Sequence, residues 1–134
     1  MKPERIDHIC TVVKDLDSAV ENYNRLLDMK PEEFYINEDE KLRVARYKIG
    51  EVFFEIMEDT TGDGDVARSI ERRGEGLFLI SFKVPNAAEA LKDAKEKGYK
   101  TIDKEPRPWR DSHYAFLHPS STNGVLVEFI DGPD

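Results

Sequence analysis

Two glutamates sit where glutamate is costly. Glu55 lies in Gly50-Glu51-Val52-Phe53-Phe54-Glu55-Ile56-Met57-Glu58, and Glu128 lies in Gly124-Val125-Leu126-Val127-Glu128-Phe129-Ile130-Asp131. Both stretches open on Gly, run through apolar residues and carry one carboxylate among them, as a buried strand would. A carboxylate withdrawn from water in such a strand has to meet a cation, a hydrogen-bond donor or a metal. His8, in the apolar run Ile6-Asp7-His8-Ile9-Cys10-Thr11-Val12-Val13, is the third residue of this kind. One imidazole and two carboxylates form an N/O donor set that suits Zn, Mn, Fe or Co, and three protein ligands leave positions open for a substrate. The alternative is a polar cluster in which His8 simply pairs with Glu55 or Glu128.

Other side chains invite a role at the same place. His113 stands five residues before His118 in a strand-like run, and an imidazole titrates nearest to neutrality, so it is a candidate proton carrier or fourth ligand. Arg46, an isolated charge in Val44-Ala45-Arg46-Tyr47, is placed to hold a substrate carboxylate or to face solvent. Arg107 and Arg110 flank Trp109 in a polar loop and form a candidate grip for a phosphate or carboxylate. His118, before Pro119, reads as a turn residue, and Cys10 as core filler. Asp63 and Asp65 lie in a Gly-containing loop that lacks the downstream Glu of a calcium loop and reads as a plain turn.

The elements that must position these residues come in two copies. Ile6–Val13 resembles Leu77–Val84, and the Glu55 stretch resembles the Glu128 stretch, each pair offset by roughly 70 residues. Each copy reads as strand, helix, then two or three antiparallel strands. Asp15 or Asp17 is placed to cap a helix with Ala19, Val20, Tyr23, Leu26 and Leu27 on one side. Residues 32–41 read as a loop or weak strand, 42–49 and 51–57 as a hairpin about Gly50, and 66–73 as a short helix. Asn86 caps the next helix with Glu89 three residues on; residues 105–112 form a loop, and 113–118 and 124–131 the closing strands. The expectation is an α+β chain of two βαβββ modules, repeat roughly 5–58 and 76–131, whose curved mixed sheet brings His8, Glu55 and Glu128 together in a central cup.

Composition narrows the partners. With 134 residues the chain suits one domain. A formal net charge of −8 excludes a general nucleic-acid role, and no apolar run is long enough to span a bilayer. The lone Cys10 rules out an internal disulfide and, with no apolar leader, fits a cytoplasmic protein.

At this level of detail the chain resembles the vicinal oxygen chelate superfamily, the glyoxalase and dioxygenase fold, and within it the methylmalonyl-CoA epimerase branch. The residues carrying the resemblance are Ile6-Asp7-His8-Ile9, Val13-Lys14-Asp15-Leu16, Glu71-Arg72-Arg73-Gly74-Glu75-Gly76-Leu77, Phe116-Leu117-His118-Pro119-Ser120-Ser121 and Gly124-Val125-Leu126-Val127-Glu128. The resemblance implies a divalent metal (Co, Mn, Zn, Fe or Ni) held by four side chains, three of which match as His8, Glu55 and Glu128; Leu79 stands where the family has its fourth, a His. It implies a metal-polarised carbonyl beside which carboxylates move a proton, with Glu128 and Asp39 or Glu40 as candidates. It also implies a small substrate such as an acyl-CoA and a homodimer. Trp109-Arg110-Asp111-Ser112-His113 departs from the Gly-rich family pattern, which points to an altered substrate. The alternatives are a small-molecule binder without turnover and a glyoxalase-like lyase.

Overall fold

The computed structural model describes residues 1–133. In chain order the elements are β1 (Arg5–Val12), α1 (Leu16–Leu27), β2 (Glu33–Asn37), β3 (Leu42–Ile49), β4 (Val52–Asp59), α2 (Asp65–Arg73), β5 (Gly76–Lys83), α3 (Ala87–Glu96), β6 (Arg107–Trp109), β7 (Ser112–Phe116) and β8 (Leu126–Ile130). The class is α+β, as the alternation of strand and helix patterns predicts. The chain forms two compact units, one spanning Ile9–Phe78 and the other joining Met1–His8 to the chain from Leu79 on. The division falls inside β1, whereas the sequence repeat starts at it. A long strand has backbone groups to satisfy along its whole length: Glu4 N–H donates to Lys83 O at one end, and Val13 N–H to Met57 O at the other.

In the unit Ile9–Phe78 the strand order is β2, β3, β4, then the second half of β1. Asp15 caps α1 by accepting from Ser18 N–H at 3.2 Å. Leu16 and Val20 of α1 pack with Val13, Ala45, Tyr47 and Ile56, and Tyr23 meets Phe54 with ring centroids 5.1 Å apart. Strand alternation then puts Val44, Arg46, Glu55 and Met57 on the face turned away from α1. Residues Glu33–Asn37, acidic at both flanks, form a strand because the full register with β3 supplies its backbone partners. Leu26 and Leu27 are both exposed: the packed stripe of α1 runs through Leu16, Val20 and Tyr23 and ends before the last turn reaches the sheet.

The loop after β4 is organised by Asp59, whose carboxylate accepts from Thr61 N–H at 2.8 Å and from Gly62 N–H at 2.5 Å. A Cβ at position 64 would lie 2.2 Å from Asp59 Oδ2, so only glycine lets the carboxylate close the turn onto α2. Burial pushes the Asp59 carboxyl up, but the amides of Thr61, Gly62 and Gly64 and the Thr61 hydroxyl outweigh it and hold it below its usual value of 3.8. A depressed folded-state value contributes stability that is present above the unfolded value and lost as the pH falls through the folded one. Asp59→Asn is therefore expected to melt below wild type at pH 7, with the gap narrowing below about pH 4. Thermal unfolding at pH 7 and pH 3 checks this; a gap that does not narrow on acidification would contradict the role given to the charge.

In the other unit the order is the first half of β1, then β5, β8, β7, β6. Asn86 caps α3 by accepting from Glu89 N–H at 2.9 Å, and Asp131 accepts from Ala87 N–H at 2.8 Å. Leu91 and Ala94 pack on Ala115, Leu117 and Val127, with Ile80, Phe82 and Phe129 around them. The opposite face carries the alternate positions Leu79, Ser81, Lys83, Leu126, Glu128, Tyr114 and Phe116. Arg107–Trp109, expected as loop, forms a short edge strand on β7. Pro108 is tolerated there because an edge strand need not use every N–H. Among the described residues no helix is long and apolar enough to cross a membrane.

Candidate active site

A chain of buried polar groups runs across the unit that contains β5 and β8. The register sets Ser81 beside Glu128, and the Ser81 hydroxyl donates to Glu128 Oε1 at 2.5 Å. His8 Nε2 lies 3.2 Å from the same oxygen. Behind the ring, His8 Nδ1 is 2.8 Å from Asp7 Oδ2, and Arg5 donates to Asp7 Oδ1 at 3.3 Å. Asp7, His8, Ser81 and Glu128 are all buried. The Ser81 hydroxyl and His8 Nε2 thus converge on one oxygen of Glu128, and Asp7 holds the other nitrogen of the His8 ring.

Glu55 belongs to the unit Ile9–Phe78 and is 1% exposed. Its Oε2 accepts from the Tyr35 hydroxyl at 3.3 Å and lies 3.3 Å from Arg46 Nη1. The Arg46 guanidinium rests 3.6 Å over the Phe53 ring. Arg46 thus lies on the sheet face turned away from α1, paired with Glu55 and 20% exposed, where the sequence left open a solvated edge.

The remaining candidates separate. His113 requires a correction as a neighbour of Glu128. Register sets Phe116 opposite Glu128 and Tyr114 opposite Ile130, so His113, one residue out of phase, points to the α3 side. It is exposed, with Nδ1 3.6 Å from Asp131 Oδ1. Arg107 and Trp109 do share the Glu128 face by register. Arg107 donates to Asp103 at 2.7 Å and covers Phe116 at 5.1 Å, and exposed Arg110 lies 5.0 Å from the Trp109 ring. Glu40 is half-buried in the turn between β2 and β3. His118 holds a turn, as expected, its Nδ1 accepting from Ser120 N–H at 3.0 Å, and Cys10 is fully buried.

Sequence reasoning passed over Asp7, Ser81 and Tyr35. Ser81 was within reach, because it interrupts the apolar run Leu79-Ile80-Ser81-Phe82 at the strand period. Asp7 was hidden by adjacency: successive strand residues point to opposite faces, yet a carboxylate reaches round to its neighbour's ring.

For a divalent ion, the donor chemistry of one unit fits two positions. A ligating imidazole is typically oriented by a carboxylate on its other nitrogen, which is what Asp7 does for His8, and Glu128 is the adjacent oxygen donor. Among the described residues no group of three or more His, Cys, Asp or Glu side chains is gathered to hold an ion. Leu79 is a buried apolar residue on the Glu128 face, and Glu55 is engaged by Arg46.

Comparison with known proteins agrees with the fold. A profile of the glyoxalase/bleomycin resistance protein/dioxygenase superfamily matches residues 7–116. The uncharacterised protein YqjC of Bacillus subtilis is 32% identical over 128 residues, covering 95% of this chain and 91% of that protein. Human mitochondrial methylmalonyl-CoA epimerase is 25% identical over 126 residues, covering 92% of this chain and 72% of the relative. A solved variant of Streptomyces coelicolor methylmalonyl-CoA epimerase, in complex with 2-nitronate-propionyl-CoA, superposes with a TM-score of 0.92. Its sequence identity is 30%, over 98% of this chain and 96% of the other.

Proposed function

Since the chain belongs to the glyoxalase/bleomycin resistance protein/dioxygenase superfamily, we propose that it is an epimerase-like enzyme that moves a proton on the carbon beside a carbonyl. The observation that carries this reading is the buried His8–Glu128 pair, 3.2 Å apart and fixed from both sides by Asp7 and Ser81. Likeness to methylmalonyl-CoA epimerases over nearly the whole chain supports an acyl-CoA as the substrate. The same reading makes a cytoplasmic homodimer the working form.

In this mechanism Glu128 takes the α-proton. The C–H bond breaks, its electron pair spreads onto the carbonyl oxygen as an enolate, and return of a proton to the same carbon completes the exchange. His8 and Ser81 orient the Glu128 carboxylate and steady its charge. Burial keeps bulk water from competing for the proton. A divalent ion, when bound, supplies a Lewis acid for the carbonyl oxygen; His8 and Glu128 are the residues that would hold it. Inversion requires delivery of the proton to the opposite face, a role for which Glu40 is the candidate.

The test uses methylmalonyl-CoA in D2O. Wild type is expected to exchange the α-proton and invert the centre, and Glu40→Gln to exchange without inverting. Absence of exchange by the metal-replete wild-type protein would end the reading. A second reading, a binder without turnover, is favoured by Leu79 and by the Arg46–Glu55 pair. Thermal stabilisation by a bulky ligand but not by metal would select it.

A further inference from the structure

We propose that Arg46 is the resident cation of Glu55, so that Glu55 braces its own sheet and is not a metal ligand. Register across three strands places Glu33, Arg46 and Glu55 in one row, Arg46 standing between two glutamates. Directly opposed cross-strand side chains lie about 4.5–5.5 Å apart at Cβ, the separation at which an opposite-charge pair forms without stretching either chain. The ion pair at 3.3 Å follows from that register. Tyr35, the next residue of β2 on that face, brings its hydroxyl to the same Glu55 oxygen at 3.3 Å. Phe53, the preceding residue of β4 on that face, lies 3.6 Å under the guanidinium.

These contacts set a cation and a hydroxyl donor on Glu55 Oε2, the part a metal would play at that oxygen. Glu55 is 1% exposed and its charge must be matched where it stands. Arginine does not surrender its proton, so this cation is permanent. An ion approaching Glu55 Oε2 would meet an oxygen already engaged by two donors and a guanidinium of like charge beside it. At Glu128 Oε1 the neighbours are His8 Nε2 at 3.2 Å and the Ser81 hydroxyl at 2.5 Å. The two glutamates, alike in sequence, are thereby given different tasks by the residue across the ladder: an arginine for Glu55, a phenylalanine, Phe116, for Glu128.

The experiment titrates Mn2+ alone into the full chain and melts the same variants in the presence of chelator. Glu55→Gln is expected to bind Mn2+ within about twofold of wild type, while His8→Ala loses binding. Arg46→Met, which strands a buried carboxylate, is expected to melt below wild type, and the double variant Arg46→Met/Glu55→Gln above Arg46→Met alone. Should Arg46→Met fail to fold, recovery of folding in the double variant supports the proposal and its continued failure to fold overturns it. A tenfold or greater loss of Mn2+ affinity in Glu55→Gln, or a double variant melting no higher than Arg46→Met, overturns it. If wild type binds no Mn2+, the melting order alone decides, and proton exchange by wild type still judges the reaction separately.

Discussion

Glu128→Gln is expected to slow α-proton exchange by about 10²–10⁴-fold, the range that a positioned acid or base contributes. The substitution is close to isosteric, and the amide oxygen can still accept from the Ser81 hydroxyl, now 2.5 Å from Glu128 Oε1. What it removes is the basicity of a group that sits 3.2 Å from His8 Nε2 in a water-poor site. The effect should therefore fall on the rate and much less on the melting temperature. NMR-monitored exchange in D2O, set beside a thermal melt, separates the two. Exchange within tenfold of wild type would take the proton-carrying role away from Glu128. Ser81→Ala, which removes one donor and leaves the carboxylate, is expected to cost far less in rate than Glu128→Gln.

Burial of the polar residues was legible in the sequence because each one interrupts a run of apolar neighbours. His8, Glu55 and Glu128 are all inside, as their surroundings predict. Their partners were harder to read, since a partner depends on register. Gly50-Glu51 is the two-residue connection between Ile49 and Val52, and that single fact aligns Arg46 with Glu55. The hairpin was visible in the sequence, and the pair could have been counted back from its turn. For Glu128 no such count is available. Its neighbour Ser81 lies on a parallel strand across a long connection, whose register no local turn sets. His113 shows the opposite hazard: a residue near the right strand in sequence was turned to the wrong face by one step of alternation. Of the two caps open for α1, Asp15 is the one used, and Asn86 caps α3 as read, because capping needs only the residue and the amides just after it.

The largest expected loss of stability comes from Leu16→Ala. Leu16 is the first residue of α1 and is 1% exposed, packed with Val13, Val20, Ala45, Tyr47 and Ile56. Its amide also donates to Glu58 Oε1 at 3.1 Å, which fixes the start of the helix over β4 and limits how far the site can collapse to fill a void. Truncating a leucine in such a place costs about 2–5 kcal/mol, a large part of the roughly 5–15 kcal/mol that holds a domain of this size together. Leu26→Ala makes the same chemical change on the same helix at a side chain that is 68% exposed, and is expected to shift stability by no more than about 0.5 kcal/mol. Chemical denaturation of both variants with a common slope reads the difference directly. Equal losses would mean that α1 is not docked through Leu16, and that the packing described for the Ile9–Phe78 unit does not hold its helix to the sheet.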